Sequence, residues 1–435
     1  MPTNAPRLTC SLCHRKIKVD SQYDMPIYDP NSGFAICNSC VREINHVLDE
    51  HDANTEVAKK KDFAASLGEV IAKNKPHMIK AYLDEYIIEQ EHAKKIMSVA
   101  VYNHYKRMKY LSENAGNSET DLEKSNVIMI GPTGCGKTAL ISHLSHLLDI
   151  PFAVTDASTL TEAGFVGADV EVAVRNLYYA AGRDIKKTER GIIYLDEFDK
   201  IARKSGVNNS ITADPGHEGV QQGLLKMLEG STVEFTERGQ RRHPEAPTIK
   251  VDTTNILFIV GGAFVGIEKL VAKRTKSDDV AIGFGAEVQT KHDTDKEFNN
   301  LIHKVRPEDL MEYRIIPEII GRLPVICTLE GLDEDALLRI LTEPKNAPVT
   351  QYQKLMAMDN VQLEFEEGAL REIAKKAIER KTGARSLRGI IEDVMLDVMF
   401  EIPKEDVPRK VVVTEACIKD GVPPEIFELP LPAAG

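Results

Sequence analysis

No apolar run in this 435-residue sequence approaches the roughly 18 residues that a membrane-crossing helix requires. The first residues carry no apolar secretion segment, and the early cysteines do not suit an Arg- and Ser-rich transit peptide, so the expectation is a soluble cytoplasmic protein. Positive charge is in deficit: 55 Lys and Arg stand against 67 Asp and Glu, a net charge of −12. That balance argues against a nonspecific nucleic-acid binder and leaves only local basic loops for such contacts. Cysteine is sparse and odd in number, seven in all, which speaks against a disulfide framework and for a reducing compartment. Internal repeats are missing too, so the length divides into two or three distinct domains.

Four of the seven cysteines are grouped. Cys10 and Cys13, then Cys37 and Cys40, form two CxxC turns with residues 14–36 between them. Two thiolates from each turn would close a tetrahedral Zn²⁺ site with no position left for water, which makes the metal structural. A redox pair is the other chemistry that CxxC allows. A module this small has little core, so metal would supply most of its folding free energy, on the order of 10 kcal/mol. His14 adjoins the first turn as a bystander. Cys327 and Cys417 read as packing residues, whereas Cys135, inside a glycine-rich loop, is a candidate for oxidation.

That loop has the residue types and spacing suited to a nucleoside triphosphate. Gly131, Pro132, Thr133, Gly134, Cys135, Gly136, Lys137 and Thr138 follow an apolar run at 127–130 and lead into a helix-like stretch from Ala139. Strand, glycine-rich loop and helix are the context a phosphate-binding loop needs. The glycines let backbone N–H groups turn inward around phosphate oxygens at a helix N-terminus. Lys137 would reach the β- and γ-phosphates, and the Thr138 hydroxyl would ligate Mg²⁺. Further on, the apolar run 191–195 ends in Asp196 and Glu197. Asp196 suits the Mg²⁺ shell, and Glu197 would polarise a water for in-line attack. The cofactors expected are ATP, Mg²⁺ and structural Zn²⁺, and the activity expected is ATP hydrolysis.

Apolar runs at 127–130, 192–195 and 256–260 alternate with helical patterns, which implies an α/β fold with a parallel sheet. Helical stretches near 332–342, 367–379 and 385–400 surround β-like runs at 361–365 and 410–413, the texture of a smaller α+β domain. The predicted organisation is a zinc-binding domain at 1–50, a charged linker at 51–75, and a large ATPase domain at 76–325. A small domain at 326–421 and a flexible, proline-rich tail at 422–435 complete it.

In content and in order these residues resemble the ClpX family. The resemblance rests on the CxxC turns, the phosphate loop, LDEFDK at 195–200, EGVQQ at 218–222, PEIIGRLP at 317–324 and KTGARSLR at 381–388. It runs from Cys10 to Val413. It implies an AAA+ P-loop NTPase whose parallel sheet is flanked by helices, a small α+β lid domain, and a treble-clef-like zinc module. The implied activity is that of a homohexameric, ATP-dependent unfoldase. Such a ring pulls proteins bearing degradation tags through its pore into the ClpP peptidase, and adaptor proteins engage the zinc module. A remodelling chaperone that works without a protease is the alternative.

The family roles carry over by position. Arg322 matches the arginine finger offered to the neighbouring subunit, Arg385 the sensor-2 arginine, and Ile87 and Ile88 the apolar pair around adenine. Gly164, Phe165, Val166 and Gly167 match the pore loop that grips substrate. Arg241, Arg242 and His243 match the basic loop at the pore entrance, and Ile282, Gly283 and Phe284 the tripeptide that docks on ClpP. Departures are Phe165 for the usual Tyr, Arg242 for a Lys, Glu89 for a Gly beside the adenine pair, and a longer gap between the cysteine turns. No polar sensor-1 residue is evident where the run 256–260 ends in Gly261, Gly262, Ala263 and Phe264.

Overall fold

The computed structural model describes residues 8–17, 27–29, 32–45, 67–114, 120, 122–161, 168–202, 215–236, 248–278, 291–402 and 407–429. The chain divides into two units, one holding residues up to Glu69 together with Lys109–Thr120, the other holding the rest. In the first, two antiparallel pairs, Leu8–Thr9 with Lys16–Ile17 and Ile27–Tyr28 with Ala35–Ile36, each present one CxxC turn. The Ser11 N–H donates to the Ala35 carbonyl at 2.7 Å and ties the two pairs together.

The second unit is built on a five-stranded sheet. Its strands are β1 (Val127–Ile130), β2 (Phe152–Asp156), β3 (Ile192–Asp196), β4 (Leu257–Gly262) and β5 (Val325–Thr328), in spatial order β5-β1-β4-β3-β2. Every pairing is parallel. Helices cover both faces of such a sheet, so its central strands are apolar at every position rather than at alternate ones. All four residues of β1 and all six of β4 are buried accordingly. The runs at 127–130, 192–195 and 256–260 are thus the three central strands. The two edge strands went unread. In β2 the apolar Val154 is exposed and the polar Thr155 is buried, so no unbroken apolar run marks the strand, and β5 follows Pro324, at the domain boundary that the sequence predicts. Because β5 pairs with β1 throughout, the large sheet extends to Thr328.

A separate apolar core, centred on Leu337, Ile373, Ile391 and Val411, belongs to the C-terminal part. Here β6 (Val361–Phe365) runs parallel to β7 (Arg409–Val413), and β8 (Glu425–Glu428) pairs antiparallel on the outer edge of β7. Residues 425–428, assigned to the flexible tail by sequence, are therefore an edge strand. Ile426 registers opposite the buried Val411, and Pro423 and Pro424 hold the chain extended just before it. Among the described residues no helix is long and apolar enough to cross a membrane.

Candidate nucleotide site and metal centre

The nucleotide residues gather at the C-terminal edge of the five-stranded sheet. After β1 the chain turns through the glycine-rich loop into the helix Lys137–Leu148. Gly134 and Gly136 have φ of 77° and 99°, left-handed values that a Cβ resists. Lys137 is buried, and its Nζ donates to the carbonyls of Gly131 (2.6 Å) and Pro132 (2.9 Å). The ammonium therefore sits within the loop, where it can meet phosphate oxygens. The Thr138 hydroxyl donates to Asp196 Oδ2 across 3.5 Å, so the two groups that would share a Mg²⁺ face each other. Asp196 Oδ1 accepts from the Tyr194 hydroxyl at 3.1 Å and from the Glu197 N–H at 2.9 Å.

Glu197 takes φ 55°, a costly conformation for a side chain that persists only where neighbours enforce it. The N–H tie to Asp196 and the buried helix Phe198–Ala202 do so here. Its carboxylate faces a cavity of about 440 Å³ lined also by Gly136, Lys137, Thr138, Ala139, Asp196 and Arg385. A second cavity, about 530 Å³, adjoins the other side of the loop at Pro132, Thr133, Gly134 and Cys135.

Arg385 reaches the first cavity because the small domain touches the loop directly. The Ala384 N–H donates to the Gly134 carbonyl at 3.2 Å. A Cβ on Gly134 would lie 2.1 Å from the Thr382 carbonyl oxygen. Residues 122–326 match the AAA domain (Cdc48 subfamily), and residues 332–412 match the C-terminal, D2-small domain of ClpB protein. Together they form an AAA+ ATPase module of the Clp/Hsp100 type.

Within this AAA+ module the glycines that end β4 have a steric cause. A side chain on Gly261 would begin 2.2 Å from the Tyr194 hydroxyl, and one on Gly262 would begin 2.5 Å from Asp199 Oδ1. Polar groups at the end of β4 are instead supplied by β3 and its helix: the Tyr194 hydroxyl, and Asp199, which accepts from the Ala263 N–H at 3.2 Å. Neither was read from sequence, because each acts across strands.

Ile87 and Ile88 are buried but pack as core and do not line either cavity. The Ile87 carbonyl accepts from Lys94 Nζ at 3.3 Å, and that ammonium, 2% exposed, also pairs with Asp84 and Glu91. Glu89, standing where the resembled family has glycine, keeps a left-handed φ of 55°. Gln90 follows at φ 58°, pinned by donation from Nε2 to the Glu330 carbonyl and by acceptance at Oε1 from the Glu330 N–H.

Arg322 lies away from its own phosphate loop. Its carbonyl accepts from Asn126 Nδ2 at 3.0 Å, and Asn126 precedes β1, whereas the loop follows β1. The intervening strand separates the two ends by roughly 13 Å. The exposed guanidinium pairs with Glu229 at 2.9 Å.

Burial pushes the Cys135 thiol pKa up, which disfavours the thiolate that oxidation requires. The pore-loop residues 164–167, the basic residues 241–243 and the tripeptide 282–284 lie outside the described residues.

In the N-terminal unit the sulfurs of Cys10, Cys13, Cys37 and Cys40 all lie within 4.8 Å of one another. Cys10 to Cys40 is 3.8 Å and Cys13 to Cys37 is 3.7 Å. Four sulfurs held tetrahedrally at a Zn–S distance of about 2.3 Å would be about 3.8 Å apart, so the spacing fits. N–H groups of Cys13 and Cys37 pull the Cys10 thiol down to about 6, while the other three thiols push Cys40 up to about 12. Such crowded sulfurs ionise together only around a cation.

Proposed function

We propose that this protein is a ring-forming, ATP-dependent protein unfoldase of the ClpX kind that hands its substrates to a ClpP-type peptidase. The observation that carries the reading is the separation of parts. Lys137, Thr138, Asp196, Glu197 and Arg385 share one cavity, whereas Arg322 sits at the opposite end of β1. An arginine so placed can complete only a neighbour's site, which ties hydrolysis to assembly, as in a homohexameric ring.

In this reading ATP with Mg²⁺ supplies the reactive phosphoryl group. Lys137 neutralises phosphate charge, Thr138 and Asp196 orient the metal, and Glu197 accepts a proton from the attacking water. Arg385 reports occupancy through the small domain. The zinc module would receive adaptors, and Phe165, Arg241 and Ile282–Phe284 would grip, attract and dock, respectively. A cytoplasmic location accompanies the reading.

The test is ATP-dependent loss of fluorescence from a folded fluorescent protein with a C-terminal degradation tag. Permanent loss only with ClpP, abolished by Glu197→Gln, is the expected result. Glu197→Gln should keep nucleotide affinity within about twofold and lower hydrolysis at least 10²-fold. Unfolding that ignores ClpP would instead make this a remodelling chaperone without a protease. Robust ATPase without unfolding would reject both.

A further inference from the structure

The segment 85–90 touches the phosphate loop on one side and the small domain on the other. On the loop side, Gln90 Nε2 donates to the Cys135 carbonyl at 3.4 Å and to the Glu330 carbonyl at 3.0 Å. On the other side, Glu85 Oε2 meets Lys345 Nζ at 2.6 Å, and the Lys345 N–H donates to the Glu85 carbonyl at 2.9 Å. Glu89 Oε1 lies 3.9 Å from Arg339 Nη1. Arg339 belongs to the helix Glu334–Thr342, whose N-cap Asp333 lines the cavity of about 530 Å³.

Glu89 is an improbable residue for its place. It and Gln90 occupy consecutive left-handed positions, and a side chain there carries a conformational cost that glycine would avoid. Partial burial and the neighbouring carboxylates Asp333, Glu330 and Asp335 disfavour its charge, and Arg339 opposes them. That opposing charge, Arg339, lies across on the small domain, 3.9 Å away, and is shared with Glu343 at 3.0 Å.

We propose that Glu89 is a positioning residue that latches the small domain against the nucleotide segment through Arg339 and thereby slows nucleotide release. The inference rests on the ATPase reading of the cavity. Glu85 with Lys345 forms a parallel tie, so the latch is divided between two ion pairs on one short segment. Closing the small domain over the loop at Gly134 and holding residues 85–90 in place are then one motion, and release of the pair frees the nucleotide's exit.

The experiment follows dissociation of a fluorescent ADP analogue from the full-length protein. Glu89→Gln and Glu89→Gly should each speed release by about threefold, the scale of a partly exposed ion pair, with the association rate unchanged. Glu89→Gly is informative because it relieves the backbone: were Glu89 only a strained substitute for glycine, release would stay the same or slow. Arg339 Nε also donates to Glu343 at 3.0 Å, so neutral variants isolate the pair: Arg339→Gln should speed release as Glu89→Gln does, and the double variant should release no faster than either alone. Unchanged release in Glu89→Gln, or additive effects in the double variant while circular dichroism shows a native fold, would overturn the latch. Equal ADP binding by wild type and Lys137→Ala would overturn the site reading itself, a separate outcome.

Discussion

His104 illustrates how one side chain sets a property of the whole fold. It is 4% exposed, its Nε2 faces the Asn255 carbonyl at 3.1 Å, and its Nδ1 has no hydrogen-bond partner. Burial, with Lys124 and Arg107 nearby, drives its pKa from 6.5 down to about 3. The unfolded chain therefore binds a proton that the folded chain refuses, and stability falls as pH drops through the unfolded value. Between pH 7.5 and 5.5 this one residue should cost wild type about 1.4 kcal/mol relative to His104→Phe. Denaturant titrations of both proteins at the two pH values measure the difference, and parallel curves would show that the ring charges in place. The position falls within AVYNHYK at 100–106, a stretch whose residue types alone assign His104 no role. Its burial is visible only once the helix Glu91–Glu113 is seen to set it against Asn255, just before β4.

At the level of elements, the phosphate loop answers to two masters. Gly136 is required by the helix start, since it caps Lys137–Leu148 at φ 99°. Gly134 is required by the small domain, whose Thr382 carbonyl approaches it closely. Gly134→Ala should therefore weaken ATP binding about tenfold, or about 1.4 kcal/mol, in a titration with a fluorescent ATP analogue. Gly389→Ala, with nothing within 4 Å of the added carbon, should leave binding unchanged. The cysteine turns behave as an independent element. Cys13→Ser or a strong chelator should expose residues 1–50 to limited proteolysis while 76–421 resists, because a metal held by the four cysteines, rather than a core, would supply that module's stability. Resistance of both parts would show that the two strand pairs fold without metal.

Across the whole molecule, the proposed ring would make activity a property of neighbours, because Arg322 lies away from its own phosphate loop. Arg322→Ala and Glu197→Gln should each be inactive alone, yet an equimolar mixture should recover roughly a quarter of wild-type hydrolysis on random assortment. No recovery would place Arg322 in its own subunit's chemistry or outside catalysis. The two facts behind this test came from different sources. The phosphate loop, the carboxylates 196–197 and the cysteine turns were legible in the sequence because their chemistry needs residues a few positions apart, which local spacing records. The central strands were legible because burial on both faces leaves an unbroken apolar run. The edge strands β2 and β5, half exposed, left no such mark, and β8 was hidden behind two prolines. Tertiary structure alone decided that Gly134 meets Thr382, that Gln90 clamps Glu330, that the Tyr194 hydroxyl crowds Gly261 and that Glu89 faces Arg339. Each of those contacts joins residues distant in the chain or opposed across a sheet, and only packing determines which of them meet.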